Sequence, residues 1–194
     1  TLFTQYGPSI IEELQHLGFE VFLDLKYHDI PQQVAGACEQ AAKLGVWMLT
    51  VHCSGGEAML LAAREGVDRV SGNKPLIVAV TILTSLSTED LSQVGFKDNV
   101  MTSVDRLAGL AKFAELDGVV SSAEEAGVLR KALGDQFLLV TPGIRLKENP
   151  NEDQKRVMTP ERALELGSNY LVIGRTITQA PEPMVALQSV MSRI

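Results

Sequence analysis

Along the whole chain, short runs of residues that are apolar on both faces alternate with segments of helical spacing. The runs are FEVFLDLK (19–26), WMLTVH (47–52), LIVAVTIL (76–83), GVV (118–120), FLLVTPGI (137–144) and YLVIGR (170–175). A strand that is apolar on both faces must be covered on both, and intervening segments such as PSIIEELQHL and AEEAGVLRKAL supply amphipathic helices to do so. The chain therefore reads as repeated parallel βα units. Helix-start signals fall where this reading needs them: Pro31 behind the first run, Ser87 ahead of Glu89 and Asp90, and the run Thr159-Pro160-Glu161.

Such a repeat either closes into a (β/α)8 TIM barrel or stays open and doubly wound. Polar residues at the strand ends favour the barrel. Asp24, Lys26, His52, Thr84, Arg145 and Arg175 fall at or just past the C-terminal ends of five different runs, where barrel enzymes carry their chemistry. An open sheet gathers its ligand groups at one switch point, usually behind a glycine-rich turn, and no GxGxxG follows any run. Six strands are two short of a closed barrel, and the first residue is Thr1 instead of Met. The expectation is an α/β chain, residues 1–194 forming one barrel domain, with two strands and a helix of roughly 35 to 50 residues ahead of Thr1.

Composition narrows the function classes. A formal net charge of -7 opposes sequence-independent binding to nucleic acid or to an anionic membrane, so a small molecule is the expected partner. No apolar run approaches the roughly 20 residues needed to cross a bilayer, and no signal peptide opens the chain, which points to the cytoplasm. Cys38 and Cys53 lie in apolar stretches without metal-ligand spacing and read as free thiols. His28 and His52 lack an obvious third ligand and read as hydrogen-bonded structural residues; no metal site is expected. Trp47 and Met48 read as core, and Glu124 and Glu125 as the opening of a solvated helix.

The run DLKYHD, residues 24 to 29, concentrates the chemistry. Strand alternation sends Asp24 and Lys26 to one face and Leu23 and Leu25 to the other. Burying such a pair costs several kcal/mol unless each ion finds partners. The expected reason is that Asp24 and Asp29 hold Lys26 protonated and aimed, a proton donor in a dry pocket. Near the other end of the chain, Gly174 lets the main chain approach a phosphate and Arg175 offers a fork of donors. The polar stretch from Arg145 to Met158 is long enough to act as a lid.

DLKYHDIP, with LGVWMLTVHCSGG, AVTILTS, LDGVVSSAEEA, LVTPGIR, DQKRVMTP and YLVIGRTITQA in this order, resembles the orotidine 5′-monophosphate decarboxylases of bacterial type over essentially all of the chain. The resemblance implies removal of the carboxylate from C6 of the pyrimidine of orotidine monophosphate, giving uridine monophosphate without metal or organic cofactor. Lys26 matches the lysine that protonates C6, and Asp24 the aspartate beside the departing carboxylate. Asp29 matches the aspartate that reaches into the partner subunit's pocket, implying a homodimer with shared sites. Thr84 matches a hydroxyl on the pyrimidine ring. Arg145, Gln154, Gly174 and Arg175 match the group that closes over the phosphate. Ile30 and Gln33 are counted with the substrate-binding residues. Gln32 and Gln33 stand where the family often has Asn-Thr, so the reach at Gln33 differs. The family's ribose-binding aspartate and second lysine would precede Thr1. The rival readings are a magnesium-dependent decarboxylase or aldolase of keto-sugar phosphates in the same superfamily, and a catalytically silent nucleotide-binding remnant.

Overall fold

The computed structural model describes residues 1–145 and 158–194. They form two compact units, one of Thr1–Val80 with Leu110–Asp117, the other of Thr81–Gly109 with Gly118–Ile194.

The first unit opens with helices α1 (Leu2–Tyr6) and α2 (Ser9–His16), then runs β1 (Phe22–Tyr27), α3 (Pro31–Lys43), β2 (Met48–His52), a 3₁₀ turn at Cys53–Gly55, α4 (Glu57–Asp68) and β3 (Leu76–Val80). β1 pairs with β2 and β2 with β3, all parallel, in chain order. Nearly every residue of β2 and β3 is buried, as strands covered on both faces must be. The covering helices share one pattern. α3 buries Val34, Ala35, Cys38, Ala41 and Ala42, and α4 buries Met59, Leu60, Ala63, Gly66 and Val67, one i, i+1, i+4, i+7, i+8 stripe each. Small residues let the two backbones approach closely: a Cβ built at Gly66 would stand 2.2 Å from the Ala35 carbonyl oxygen. Pro31 occupies the first turn of α3, where its missing N–H costs nothing.

At the N-terminal end of β3, the Asp117 carboxylate accepts the Ile77 N–H at 2.7 Å and meets the Arg64 guanidinium at 3.2 Å, while the Asp117 N–H returns to the Ile77 carbonyl. Cys38 and Cys53 are free thiols, and burial pushes both up to about 12, leaving them protonated.

The second unit holds α5 (Thr88–Gln93), the first part of α6 (Val100–Phe113), β4 (Gly118–Val120), α7 (Ala123–Leu133), β5 (Leu138–Thr141), α8 (Pro160–Glu165), β6 (Tyr170–Leu171), α9 (Arg175–Thr178) and α10 (Pro183–Met191). β4, β5 and β6 again pair in parallel and in chain order. Ser87 with Asp90 and Ser122 with Glu125 form reciprocal capping boxes at α5 and α7, and the Thr159 hydroxyl caps α8. Arg130 of α7 donates to the carbonyls of Gly134, Phe137 and Gly167 and to Asn169 Oδ1, and Asn169 Oδ1 also accepts the Leu139 N–H. One guanidinium thereby ties the N-terminal ends of β5 and β6 to their helices.

Three expectations change. The runs at 19–26, 76–83 and 170–175 contain strands, but shorter ones: the first starts only at Phe22, beyond the exposed Gly18–Glu20 turn, and the last yields to α9 at Arg175. Glu125 does not lie on a solvated face; only 1% exposed, it folds back on the Ser122 N–H at 2.7 Å. Strand alternation also breaks in β1. Between Leu23, opposite Leu49, and Tyr27, opposite Val51, three residues of β1 stand against the single Thr50.

Candidate active site

That break in β1 builds the candidate reactive centre. Lys26 sits at the bulge with φ of +53°, a left-handed conformation unusual for a residue with a Cβ. Its N–H leaves the strand ladder and donates to Thr50 Oγ1 at 2.8 Å. The Thr50 hydroxyl, fully buried, spends its proton on Asp24 Oδ1 at 2.9 Å. The other oxygen of Asp24 accepts from the Lys26 ammonium at 2.6 Å. One hydroxyl thus ties together the main chain of the lysine and the carboxylate that faces its side chain. The two charged side chains retain 35% and 43% exposure, so the pair is more open than the buried pair that alternation suggested. β1 is the outer strand of its three-stranded set, and the bulge lifts these residues off the ladder.

Asp29 is exposed and accepts the N–H of Ile30 at 2.6 Å. Within this chain the ammonium of Lys26 meets Asp24 and not Asp29, because Asp29 lies past the strand in the turn that starts α3. Ile30 caps that helix with extended backbone, as a residue before proline must, and its side chain is 62% exposed. Gln33 follows in the first turn, exposed, its N–H bonded to the Ile30 carbonyl.

His28 and His52 stand beside the pair with ring centroids 5.5 Å apart. Burial holds the His52 imidazole below its ordinary range, helped by the positive charges of His28 and Lys26 and opposed by Asp24. An uncharged imidazole therefore neighbours the ammonium. Among the described residues, no group of three or more His, Cys, Asp or Glu could hold a metal ion.

The second unit has a candidate anion site of its own, past the ends of β5 and β6. Pro142 to Arg145, with Val172 and Gly174 to Thr176, line a cavity of about 170 Å³. Arg145 is buried, and its N–H donates to the Met158 carbonyl at 3.0 Å. Gly174 caps α9, so the opening turn of that helix borders the cavity together with the exposed Arg175. A Cβ added to Gly174 would meet nothing within 4 Å among the described residues, so their packing does not demand glycine there. Thr84 lies half-buried in the loop after β3. Gln154 and most of the expected lid, 146–157, fall outside the described residues.

Sequence reading missed Thr50. Its only signal was a hydroxyl in the middle of an otherwise apolar strand, WMLTVH.

A curated orotidine 5'-phosphate decarboxylase of Saccharophagus degradans is 54% identical over 97% of this chain and 79% of its own length. One from Coxiella burnetii is 53% identical over 97% of this chain and 80% of its own. The crystal structure of orotidine 5'-phosphate decarboxylase from Lactobacillus acidophilus superposes with a TM-score of 0.85 at 37% identity, covering 96% of this chain and 80% of that one. The fold class is α/β, that of the (β/α)8 barrel, with six of its strands among the described residues. The family described as Orotidine 5'-phosphate decarboxylase / HUMPS matches residues 1–190, and the chain belongs to it.

Proposed function

We propose that this protein decarboxylates orotidine 5′-monophosphate to uridine 5′-monophosphate in pyrimidine biosynthesis, a carboxy-lyase reaction needing no metal or organic cofactor. Two relatives with more than half of their aligned residues in common carry that enzyme's name. The observation that carries the reading at the level of chemistry is the Lys26 ammonium held 2.6 Å from Asp24 at a strand end.

The C6–carboxylate bond breaks, its electron pair stays on C6, and a proton passes from Lys26 Nζ to C6. That pair lies in the ring plane, where the π system cannot delocalise it, so the barrier is high. A positioned proton donor gives roughly 10²–10⁴-fold, or about 3 to 5 kcal/mol, well short of what such a reaction needs. Fixed charges supply more: the ammonium stabilises density growing on C6, and the Asp24 carboxylate disfavours a substrate carboxylate placed beside it. Thr84 would contact the pyrimidine. Arg145, Gln154, Gly174 and Arg175 would take the phosphate, whose binding, remote from the reacting carbon, helps hold the carboxylate against Asp24.

The active species in this reading is a cytoplasmic homodimer in which Asp29 serves the partner's pocket, with Ile30 and Gln33 beside it among the substrate-binding residues; their exposure at the start of α3 supports it. No helix among the described residues is long and apolar enough to cross a membrane.

Conversion of orotidine monophosphate followed at the pyrimidine absorbance, with a chelator present, tests the reaction. Turnover that survives chelation is expected. Absence of turnover in the purified protein would overturn the assignment, and turnover of a keto-sugar phosphate that stops on chelation would favour the magnesium enzymes. For the dimer, Lys26→Ala and Asp29→Ala subunits, each inactive, should regain activity when mixed, since a hybrid contains one intact site. Failure despite demonstrated subunit exchange would remove the partner role from Asp29.

A further inference from the structure

From the bonds at the β1 bulge we infer that Thr50 is a positioning residue of this reaction: its hydroxyl sets the separation and orientation of the Asp24–Lys26 pair. The inference rests on the proposed role of Lys26 as proton donor.

Three features carry it. The hydroxyl is fully buried and makes two bonds that cannot be exchanged for one another. Because Oγ1 accepts the Lys26 N–H at 2.8 Å, an obligatory donor, its own proton is directed to Asp24 Oδ1 at 2.9 Å. Lys26 at φ +53° is strained and persists only where its surroundings over-determine it. The Lys26 N–H has left the ladder, so without Thr50 Oγ1 it would have no acceptor in the strand it opposes. Asp24, with Oδ1 fixed by Thr50, presents Oδ2 to the ammonium. Removing the hydroxyl therefore releases both members of the pair at once, while the β2 main chain keeps its pairing with β3 through Thr50↔Val78.

Thr50→Val keeps the shape and the β-branch of the side chain and deletes only the hydroxyl. Its kcat for orotidine monophosphate should fall roughly 10- to 100-fold, the scale of a small misplacement of reacting groups. KM should change far less, because the phosphate contacts lie elsewhere. Thr50→Ser, which restores the hydroxyl, should recover most of the lost kcat. A merely structural threonine would give the opposite order, with valine tolerated and serine weakened by the lost methyl. Valine at wild-type kcat, or serine falling as far as valine, would overturn the inference. If the valine variant does not fold, Thr50→Cys serves, with similar volume and a weak donor. Its kcat should lie below that of serine, and parity with wild type would count against the inference. A crystal structure of whichever variant folds reads the claim independently of turnover. Lys26 should leave the left-handed region or Asp24 should turn from the ammonium; an unchanged pair overturns the positioning role even if the substrate proves to be another.

Discussion

The ammonium of Lys26 stands 2.6 Å from the Asp24 carboxylate although the backbone joining them departs from strand geometry. The contact is therefore made by the bulge and not by regular alternation. Lys26→Ala removes the proposed proton donor and leaves Asp24 and the proposed phosphate-binding elements in place. Turnover should drop by at least the roughly 10²–10⁴-fold of a lost acid catalyst, with binding of uridine monophosphate retained. Steady-state kinetics beside calorimetric titration measure both; appreciable activity in the variant would remove Lys26 from the chemistry.

Gly174 and Arg175 separate two kinds of requirement. A Cβ at Gly174 meets no atom of the described residues within 4 Å, so Gly174→Ala should fold with an unchanged unfolding midpoint and, on the proposed reading, lose affinity for uridine monophosphate, the added methyl occupying space proposed for the phosphate. Arg175→Ala should raise KM for the nucleotide and also lower kcat, because phosphate binding contributes to the transition state. Equal affinity of both variants and the parent for uridine with and without its phosphate would place the phosphate elsewhere.

Gly66 tests the helix pair. A methyl there would collide with the Ala35 carbonyl oxygen at 2.2 Å, a backbone atom that cannot step aside alone. Gly66→Ala should therefore destabilise by about 1–3 kcal/mol despite the better helix propensity of alanine. Urea unfolding gives the value, and a stabilised variant would mean that α3 and α4 stand farther apart.

His52 predicts a pH dependence. Its folded-state pKa lies below the unfolded value of 6.5, mainly through burial. Above that value the imidazole is neutral in both states and contributes no slope. As the pH falls below about 6.5, the unfolded chain takes up a proton that the folded chain resists, so stability declines until the folded pKa is passed. His52→Gln should flatten this part of the stability profile measured by urea unfolding at about pH 7.5 and pH 5. An identical slope in the variant would show that His52 does not titrate differently in the two states.

Much of this was legible in the residues, for reasons of range. Capping by Ser87 and Thr159 and the start of α3 at Pro31 depend on neighbours within one helical turn. The apolar runs marked the strands because burial on both faces leaves a continuous pattern. What escaped depends on chain segments meeting: Thr50 acts on a backbone N–H 24 residues away, and the bulge at Lys26 is defined only against β2. Glu125 escaped for a different reason. Its S-x-x-E spacing after Ser122 was visible, but the neighbours that bury it were not.

Arg130 and Asp117 grip the strands where they begin, whereas the side chains proposed for the reaction and for phosphate hang from where strands finish. Damage therefore sorts by location. A lesion at the gripping end unfolds the molecule and shows as lost solubility, while one at the other end yields well-folded but silent protein. Loops at that working end are accordingly open to remodelling toward new substrates without loosening the frame that carries them.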